Sequence, residues 1–356
     1  MRTARLARAL GSDFQHSIVA MDGHTEARSL LPRDVDHTLL PAPPKAGTLR
    51  TVRSMRRILH DVRPDLVLTY NWGAIETVMA VRTSKGPPVI HHEDGFLPDE
   101  VEAFKRRRMW TRRVVLAGVP VVVPSHTLQT IATERWRLNP ARVHWIPNGI
   151  RVDDFPAADG NPARRDELGI PTEALVVGSV GHLRGEKNPV RLIEALALVA
   201  CERPVHLLML GDGPERRAVE QAIERLDLTG RVHLVGHRES PQADYRSMDA
   251  FALSSDTEQM PVALLEAMAC GLPVVATAVG DVERILPDGQ RDLCVTISGG
   301  TTTDRLAQAL TRVCRMCLDG EARLLGDANR RRVTERFSFD RMVDAYRERF
   351  AEALAS

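Results

Sequence analysis

The sequence predicts an α/β protein built from two doubly wound, parallel-sheet domains that face a cleft. Three observations carry this. Apolar runs of four to seven residues alternate with longer stretches of helical period, the pattern of βαβ units. The chain has 356 residues, room for two domains at roughly 100–200 residues each. Between the two series of runs, residues 153–162 lose periodicity and are rich in Asp, Pro, Gly and Asn, as a linker would be.

In the first half, strands are expected at 16–21, 37–40, 65–70, 88–92, 119–124 and 142–146. Residues 1–10 read as an amphipathic helix with Leu6, Ala9 and Leu10 on one side, so the chain opens in a helix where an α/β domain ordinarily opens in a strand. Pro41, Pro43 and Pro44 exclude regular structure from the loop that follows the second strand. In the second half, strands are expected at 174–180, 205–210, 231–235, 250–254, 273–277 and 293–297. Helices fit 189–201, 215–226, 261–269, 305–318, 322–337 and 340–355, the last with Met342, Val343, Tyr346, Phe350 and Leu354 at helical spacing. The expected division is an N-terminal domain over 1–150, a second domain over 151–337, and a C-terminal helix over 338–356 that packs back on the first.

Composition excludes several classes. Lys and Arg number 48 against 47 Asp and Glu, a net charge of +1, so nucleic acid is not an expected partner. No apolar run approaches the 18 or more residues of a membrane-spanning helix. The first residues lack the pattern of a secretory leader, and five scattered cysteines fit a reducing compartment, so a cytoplasmic location is expected.

In doubly wound folds ligands sit at the carboxyl ends of strands, so chemistry is sought in the loops that follow them. The most informative loop runs from Ser254 through Glu258, Gln259, Met260 and Pro261 into the helix bearing Glu266. Pro261 fits the first helical turn, where its missing N–H costs nothing. The backbone N–H groups of Val262, Ala263 and Leu264 then form an anion site, helped by the helix dipole. Glu258 and Glu266 flank it and could accept hydrogen bonds from vicinal sugar hydroxyls; read alone, both also fit solvated helix-end acids. The second loop, Gly181-His182-Leu183-Arg184-Gly185-Glu186-Lys187-Asn188, brings Arg184 and Lys187, cations suited to holding a diphosphate. Its glycines match neither a dinucleotide fingerprint nor a P-loop.

Together these loops resemble glycosyltransferase family 4, retaining nucleotide-sugar transferases of the GT-B fold with two Rossmann-like domains. Glu258 and Glu266 match the family's E-x7-E motif, with support from Val180-Gly181-His182-Leu183, Lys187-Asn188, Leu210-Gly211-Asp212-Gly213-Pro214, Val235-Gly236 and Ile146-Pro147-Asn148-Gly149. The likeness is to bacterial enzymes of exopolysaccharide and lipid-linked oligosaccharide synthesis. It implies that Glu266 binds ribose, Glu258 contacts the donor sugar, and Met260, Pro261, Val262, Ala263 and Leu264 offer backbone groups. It also implies that Lys187 binds the departing diphosphate, and that Val235 and Gly236 lie near the base. No metal or cofactor is implied beyond the nucleoside-diphosphate sugar itself.

The sequence departs from the family pattern in four places. His182 stands where the family has Arg, with Arg184 as the substitute cation, and Gln259 replaces a Gly. Asp94 occupies the place of an acceptor-side His, with His92 and Trp72 as the other acceptor-side candidates. The resemblance implies a first strand and Gly-Gly loop ahead of the helix that residues 1–10 resemble, and this sequence is expected to lack both. Lys105-Arg106-Arg107-Arg108-Met109-Trp110-Thr111-Arg112-Arg113 carries six cations, a candidate contact with an anionic membrane surface where a lipid-linked or saccharide acceptor is met. Cys314-x-x-Cys317 sits in a helical pattern without a partner pair and is read as structural. The competing readings are a nucleotide-sugar-binding protein without transfer activity and a nucleotide-sugar epimerase of the same fold.

Overall fold

The structure is a computed structural model that describes residues 2–23, 31, 35–44, 47–95 and 106–355. It divides into two compact units, Met1–Asn148 with Asp340–Ser356, and Gly149–Phe339.

The first unit begins with helix α1 (Arg2–Leu10) and strand β1 (His16–Val19), which pairs in parallel with β2 (His37–Leu40). Helix α2 (Thr48–Val62) leads to β3 (Val67–Tyr70), and α3 (Ile75–Ser84) to β4 (Val89–His92). Helix α4 (Arg106–Val115), β5 (Val121–Val123), α5 (His126–Thr130) and β6 (Val143–Trp145) follow. Strands β3-β4-β5-β6 form a second parallel sheet, separate from β1-β2. Its core is apolar and mostly aliphatic, with Val78, Val121, Val123 and Leu128 sealed from water beside the aromatic Trp136. The burial of such β-branched runs on both faces is what a parallel sheet between helices requires.

The second unit places α6 (Pro162–Glu167), β7 (Leu175–Val180), α7 (Pro189–Ala197), β8 (Val205–Leu210), α8 (Arg216–Arg225) and β9 (Val232–Gly236) in series. Then come α9 (Gln242–Arg246), β10 (Ala250–Leu253), α10 (Val262–Ala269), β11 (Val274–Thr277), α11 (Val282–Ile285), β12 (Cys294–Val295), α12 (Thr302–Leu318) and α13 (Ala322–Arg336). The six strands are all parallel, in the order β12-β11-β10-β7-β8-β9. Chain order reverses between β7 and β10, and the crevice of a doubly wound sheet opens at such a reversal. Helix α14 (Phe339–Leu354) closes the chain. From Asp340 onward it belongs to the first unit, where Arg347 donates to the Ala9 carbonyl at the end of α1.

Most expected elements are present, trimmed at their ends. Expected strand 293–297 shrinks to two residues, because the chain coils in 3₁₀ turns on either side of it. The segment expected to be a linker is not loose. Phe155 is buried, the Ala158 N–H donates to the Cys270 carbonyl at 2.8 Å, and Arg330 donates to the Phe155 carbonyl at 2.8 Å. Polar and Pro-Gly composition marks irregular backbone, but it does not forbid packing when the carbonyls find donors.

Candidate active site

The site is assembled at the reversal point of the second unit. Strands β7 and β10 are hydrogen-bonded neighbours, and the two motif loops leave their carboxyl ends side by side. After β7, a 3₁₀ turn (Gly185–Lys187) ends at Asn188, whose φ of 43° is left-handed. Its side chain accepts from the Arg191 N–H and so caps α7, while Pro189 takes the first helical position. After β10, the Ser255 carbonyl accepts from Thr277 Oγ1 at 2.6 Å.

Cross-bonds stitch the loops together. The Asp256 N–H donates to the Glu186 carbonyl at 2.8 Å, Ser254 Oγ to the Asn188 carbonyl at 2.9 Å, and Asn188 Nδ2 to Asp256 at 3.0 Å. Arg191 pairs with Asp256 at 2.7 Å. The result brings Lys187 Nζ to 2.6 Å from Glu258 Oε1, where Ser255 Oγ also donates from 2.8 Å. The Glu258 side chain is 7% exposed and that of Lys187 31%.

This pair lies on a cavity of about 210 Å³ lined also by Gly181, His182, Pro261, Val262 and Ala263. Helix α10 begins at Val262 with no side-chain cap, so its first N–H groups, those of Val262, Ala263 and Leu264, have no partner within the helix. A cation, a carboxylate with its hydroxyl donor, and a helix N-terminus thus converge on one small space. That combination binds an anion and hydroxyls together.

The other candidates are placed as follows. Pro261 is the residue ahead of the helix, with ψ of 118°, and not its first helical residue. Glu266 is nearly buried on α10, and its carboxylate accepts from the Tyr245 hydroxyl at 3.0 Å. Burial, then the Glu266 charge, push the Tyr245 hydroxyl well above the ordinary phenol value, so it stays a donor. Met260 and Leu264 turn their side chains into the core and have only backbone to offer. Gly236 ends β9, and its carbonyl accepts from the Gly211 N–H at 2.8 Å beside Leu210, a cavity residue. Gly211 has to be glycine: a Cβ there would stand 1.8 Å from the Gly181 carbonyl oxygen.

Arg184 is not brought to the cavity. It precedes the 3₁₀ turn, is half exposed, and lies 3.9 Å from Glu186. In the first unit His92 is fully buried. It stacks between Tyr70 and Tyr346, at 4.5 and 5.6 Å, with Nδ1 at 3.1 Å from the Thr69 carbonyl. As an acceptor-side candidate it is therefore enclosed, as is its neighbour His91, because β4 is buried on both faces. The Asp94 N–H is held by Asn71 Oδ1 at 2.7 Å. Trp72 has the guanidinium carbons of Arg108 and Arg112 at 5.3 and 5.1 Å from its ring centre.

The cationic stretch is also revised. Lys105 lies outside the described residues. Arg112 is not a surface cation: it is fully buried, paired with Glu93 at 3.0 Å, and stacked on Trp136 at 4.8 Å. Burial pushes the Glu93 carboxyl up, but His91 and Arg112 outweigh it and leave it below the ordinary carboxylate value. Four contributors escaped sequence reading: Ser255, Tyr245, Thr277 and Gly280. Gly280, with φ of 55°, faces the Glu258 carbonyl so closely that a Cβ would stand 2.0 Å from it. A lone glycine shortly after the apolar run 273–277 was its only sequence signal.

Two family models match the chain. One described as "Glycosyl transferase 4-like domain" covers residues 1–149, and one described as "Glycosyl transferases group 1" covers residues 174–316. The chain belongs to glycosyltransferase family 4. This family 4 chain is 28% identical over 191 residues to an N-acetyl-alpha-D-glucosaminyl L-malate synthase of Bacillus anthracis, covering 53% of this chain and 49% of the relative. It is 31% identical over 224 residues to a D-inositol 3-phosphate glycosyltransferase of Geodermatophilus obscurus, 60% of this chain and 48% of the relative. These matches therefore span about half the length of either relative. The structure of Anabaena Alr3699/HepE in complex with UDP and glucose superposes with a TM-score of 0.79 at 19% identity, covering 98% of this chain and 95% of that one. That likeness shows the GT-B fold.

Proposed function

We propose that the second unit binds a nucleoside-diphosphate sugar and that the chain transfers the sugar, with retention at the anomeric carbon, to a hydroxyl of a saccharide or lipid-linked acceptor in cell-surface polysaccharide synthesis. The observation that carries this is the Lys187–Glu258 pair on a cavity edged by the free N-terminus of α10. Lys187 and the N–H groups of Val262, Ala263 and Leu264 stabilise the diphosphate as it departs. Glu258 then accepts from the sugar hydroxyls, Glu266 from the ribose, and the ends of β8 and β9 border the base.

In the step itself the bond from the anomeric carbon to the phosphate oxygen breaks. The acceptor oxygen bonds to that carbon on the same face, and its proton passes to the departing phosphate. The UDP and glucose named for the Anabaena neighbour support a nucleotide-sugar donor. On the acceptor side, Asp94 and Trp72 are the groups to test, and His92, enclosed between Tyr70 and Tyr346, has only an indirect part. Helix α4 leaves Trp110 and Val114 each 62% exposed beside exposed Arg106 and Arg107, which suits an anionic lipid surface. Among the described residues no helix is long and apolar enough to cross a membrane.

A radiolabelled donor incubated with the chain and a bacterial membrane extract tests the proposal. Label moving into an acceptor, with the anomeric configuration of the donor kept in the isolated product, supports it. Donor binding without transfer would favour a nucleotide-sugar-binding protein, and interconversion of the donor sugar without acceptor would favour an epimerase.

A further inference from the structure

The first unit has a cavity of about 630 Å³ at the amino ends of β4, β5 and β6, the sheet edge opposite the strand carboxyl ends. It shares no residue with the donor cavity. Four cations and one acid line it: Arg82 and Lys85 come from the end of α3, Arg142 from the turn into β6, and Arg349 with Glu352 from α14. The whole chain carries a net charge of only +1, so this is a local excess.

Internal partners use little of that charge. Arg82 donates from Nη1 to the Val114 and Val115 carbonyls, at 2.9 and 2.6 Å, and closes the end of α4. Arg349 pairs with Glu352 and Glu348 of its own helix, whose carboxylates are exposed, so these contacts are worth little in water. Among the described residues Lys85 and Arg142 have no acidic partner. Pro88 and Pro120 turn their carbonyls into the sheet, onto the Val67 and His91 N–H groups, and away from an incoming anion. Arg349 Nη1 lies 3.3 Å from His144 Nδ1. A guanidinium only donates, so Nδ1 accepts and the imidazole is neutral, with its proton on Nε2. Burial, then Arg349, hold His144 below the ordinary imidazole value, against Glu352 and with help from Arg142. The half-buried ring therefore sits between guanidiniums, beside the hollow.

We infer that this cavity binds an oligophosphate anion, a short chain of linked phosphates that is either free or part of a nucleotide. Guanidinium forks bind phosphate oxygens through paired donors, and an ammonium adds a point charge. The cations enter from three separate elements around the hollow, so a single phosphate meets only part of the set, whereas a linked chain spans it. A hollow, in place of a long cationic strip, argues against nucleic acid, whose backbone needs many cations in a row. Bound there, the anion ties α14 to β6 and to the end of α3, and so stabilises the first unit.

The test titrates tripolyphosphate at about 0.15 M salt, where loose surface attraction is screened. The readout is the His144 imidazole resonance in protein with isotope-labelled histidine, assigned by its loss in His144→Gln. Three proteins are compared: the unaltered chain, Lys85→Gln combined with Arg142→Gln, and Lys187→Ala. Lys85 and Arg142 are exposed, so the double variant keeps its fold, which a thermal melt verifies. The expected result is a His144 resonance that moves to saturation, with affinity at least about tenfold weaker in the double variant. Lys187→Ala leaves the His144 titration unchanged. Pyrophosphate and UTP, as further arms, separate a free oligophosphate from a nucleotide by which of them binds more tightly. Citrate, a carboxylate polyanion, tests the ligand class. An unmoved His144 resonance, equal affinity in the double variant, or citrate binding as tightly as tripolyphosphate would overturn the proposal.

Discussion

Lys187 and Glu258 meet at 2.6 Å across two loops that leave neighbouring strands, with Ser255 donating to the same carboxylate oxygen. The pair is pre-formed, so on the proposed function an incoming diphosphate has to compete with Glu258 for the ammonium. Replacing Lys187 with Ala removes one charged hydrogen bond to the diphosphate, a loss of about ten- to a hundredfold in affinity. Replacing Glu258 with Gln removes the competitor. It is expected to leave UDP affinity equal or higher while lowering turnover. Calorimetric titration with UDP, set beside turnover of the two variants, separates the effects.

Gly280 holds the Glu258 loop from behind. Gly280→Ala creates a 2.0 Å approach to the Glu258 carbonyl, so the loop shifts and the donor KM rises. Gly299 is the control, with φ of 52° and no atom within 4 Å of an added Cβ. Gly299→Ala carries only the left-handed backbone cost of roughly 1–2 kcal/mol and leaves KM unchanged. Steady-state kinetics and thermal melts of both variants decide this.

The strands were legible because their apolar runs depend on neighbours in sequence, and so was the Glu258–Glu266 spacing. Contacts set by remote residues were not. Tyr245 reaches Glu266 from a different helix, and Gly280 touches Glu258 only after β11 has crossed the sheet. Arg112 was read as a surface cation because its neighbours in sequence are basic. In the fold, Glu93 and two tryptophans supply the partners that let it be buried.

Tyr245 is a positioning residue for Glu266. Tyr245→Phe keeps the ring packed on Phe155 and Phe251 and removes only the hydroxyl. The loss of a hydrogen bond to a charged group costs about 1.5–3 kcal/mol of stability. Donor KM is expected to rise with kcat little changed, because Glu266 is assigned to ribose and not to the reacting carbon. Urea unfolding and a KM-against-kcat comparison read the two effects.

Two histidines on adjacent strands make stability depend on pH. His206 Nδ1 lies 3.0 Å from His233 Nε2. Burial, then His233 and Arg231, hold His206 below the ordinary imidazole value against a weaker pull from Glu173, and burial does the same to His233. A folded-state value below the unfolded one means that the unfolded chain binds protons first. Stability is therefore whole above about pH 6.5 and falls as pH drops below it. His206→Gln with His233→Gln should flatten the part of that dependence these two contribute, measured as melting temperature from pH 7.5 to 5.

Donor binding tests the central claim most directly. UDP-, GDP-, ADP- and dTDP-linked hexoses are titrated into the unaltered chain and into Lys187→Ala. At least one is expected to bind the unaltered chain, and to bind the variant at least about tenfold more weakly. Equal affinity in the two proteins, or no binding of any of the four, would contradict the assignment of the donor site to the Lys187–Glu258 cavity.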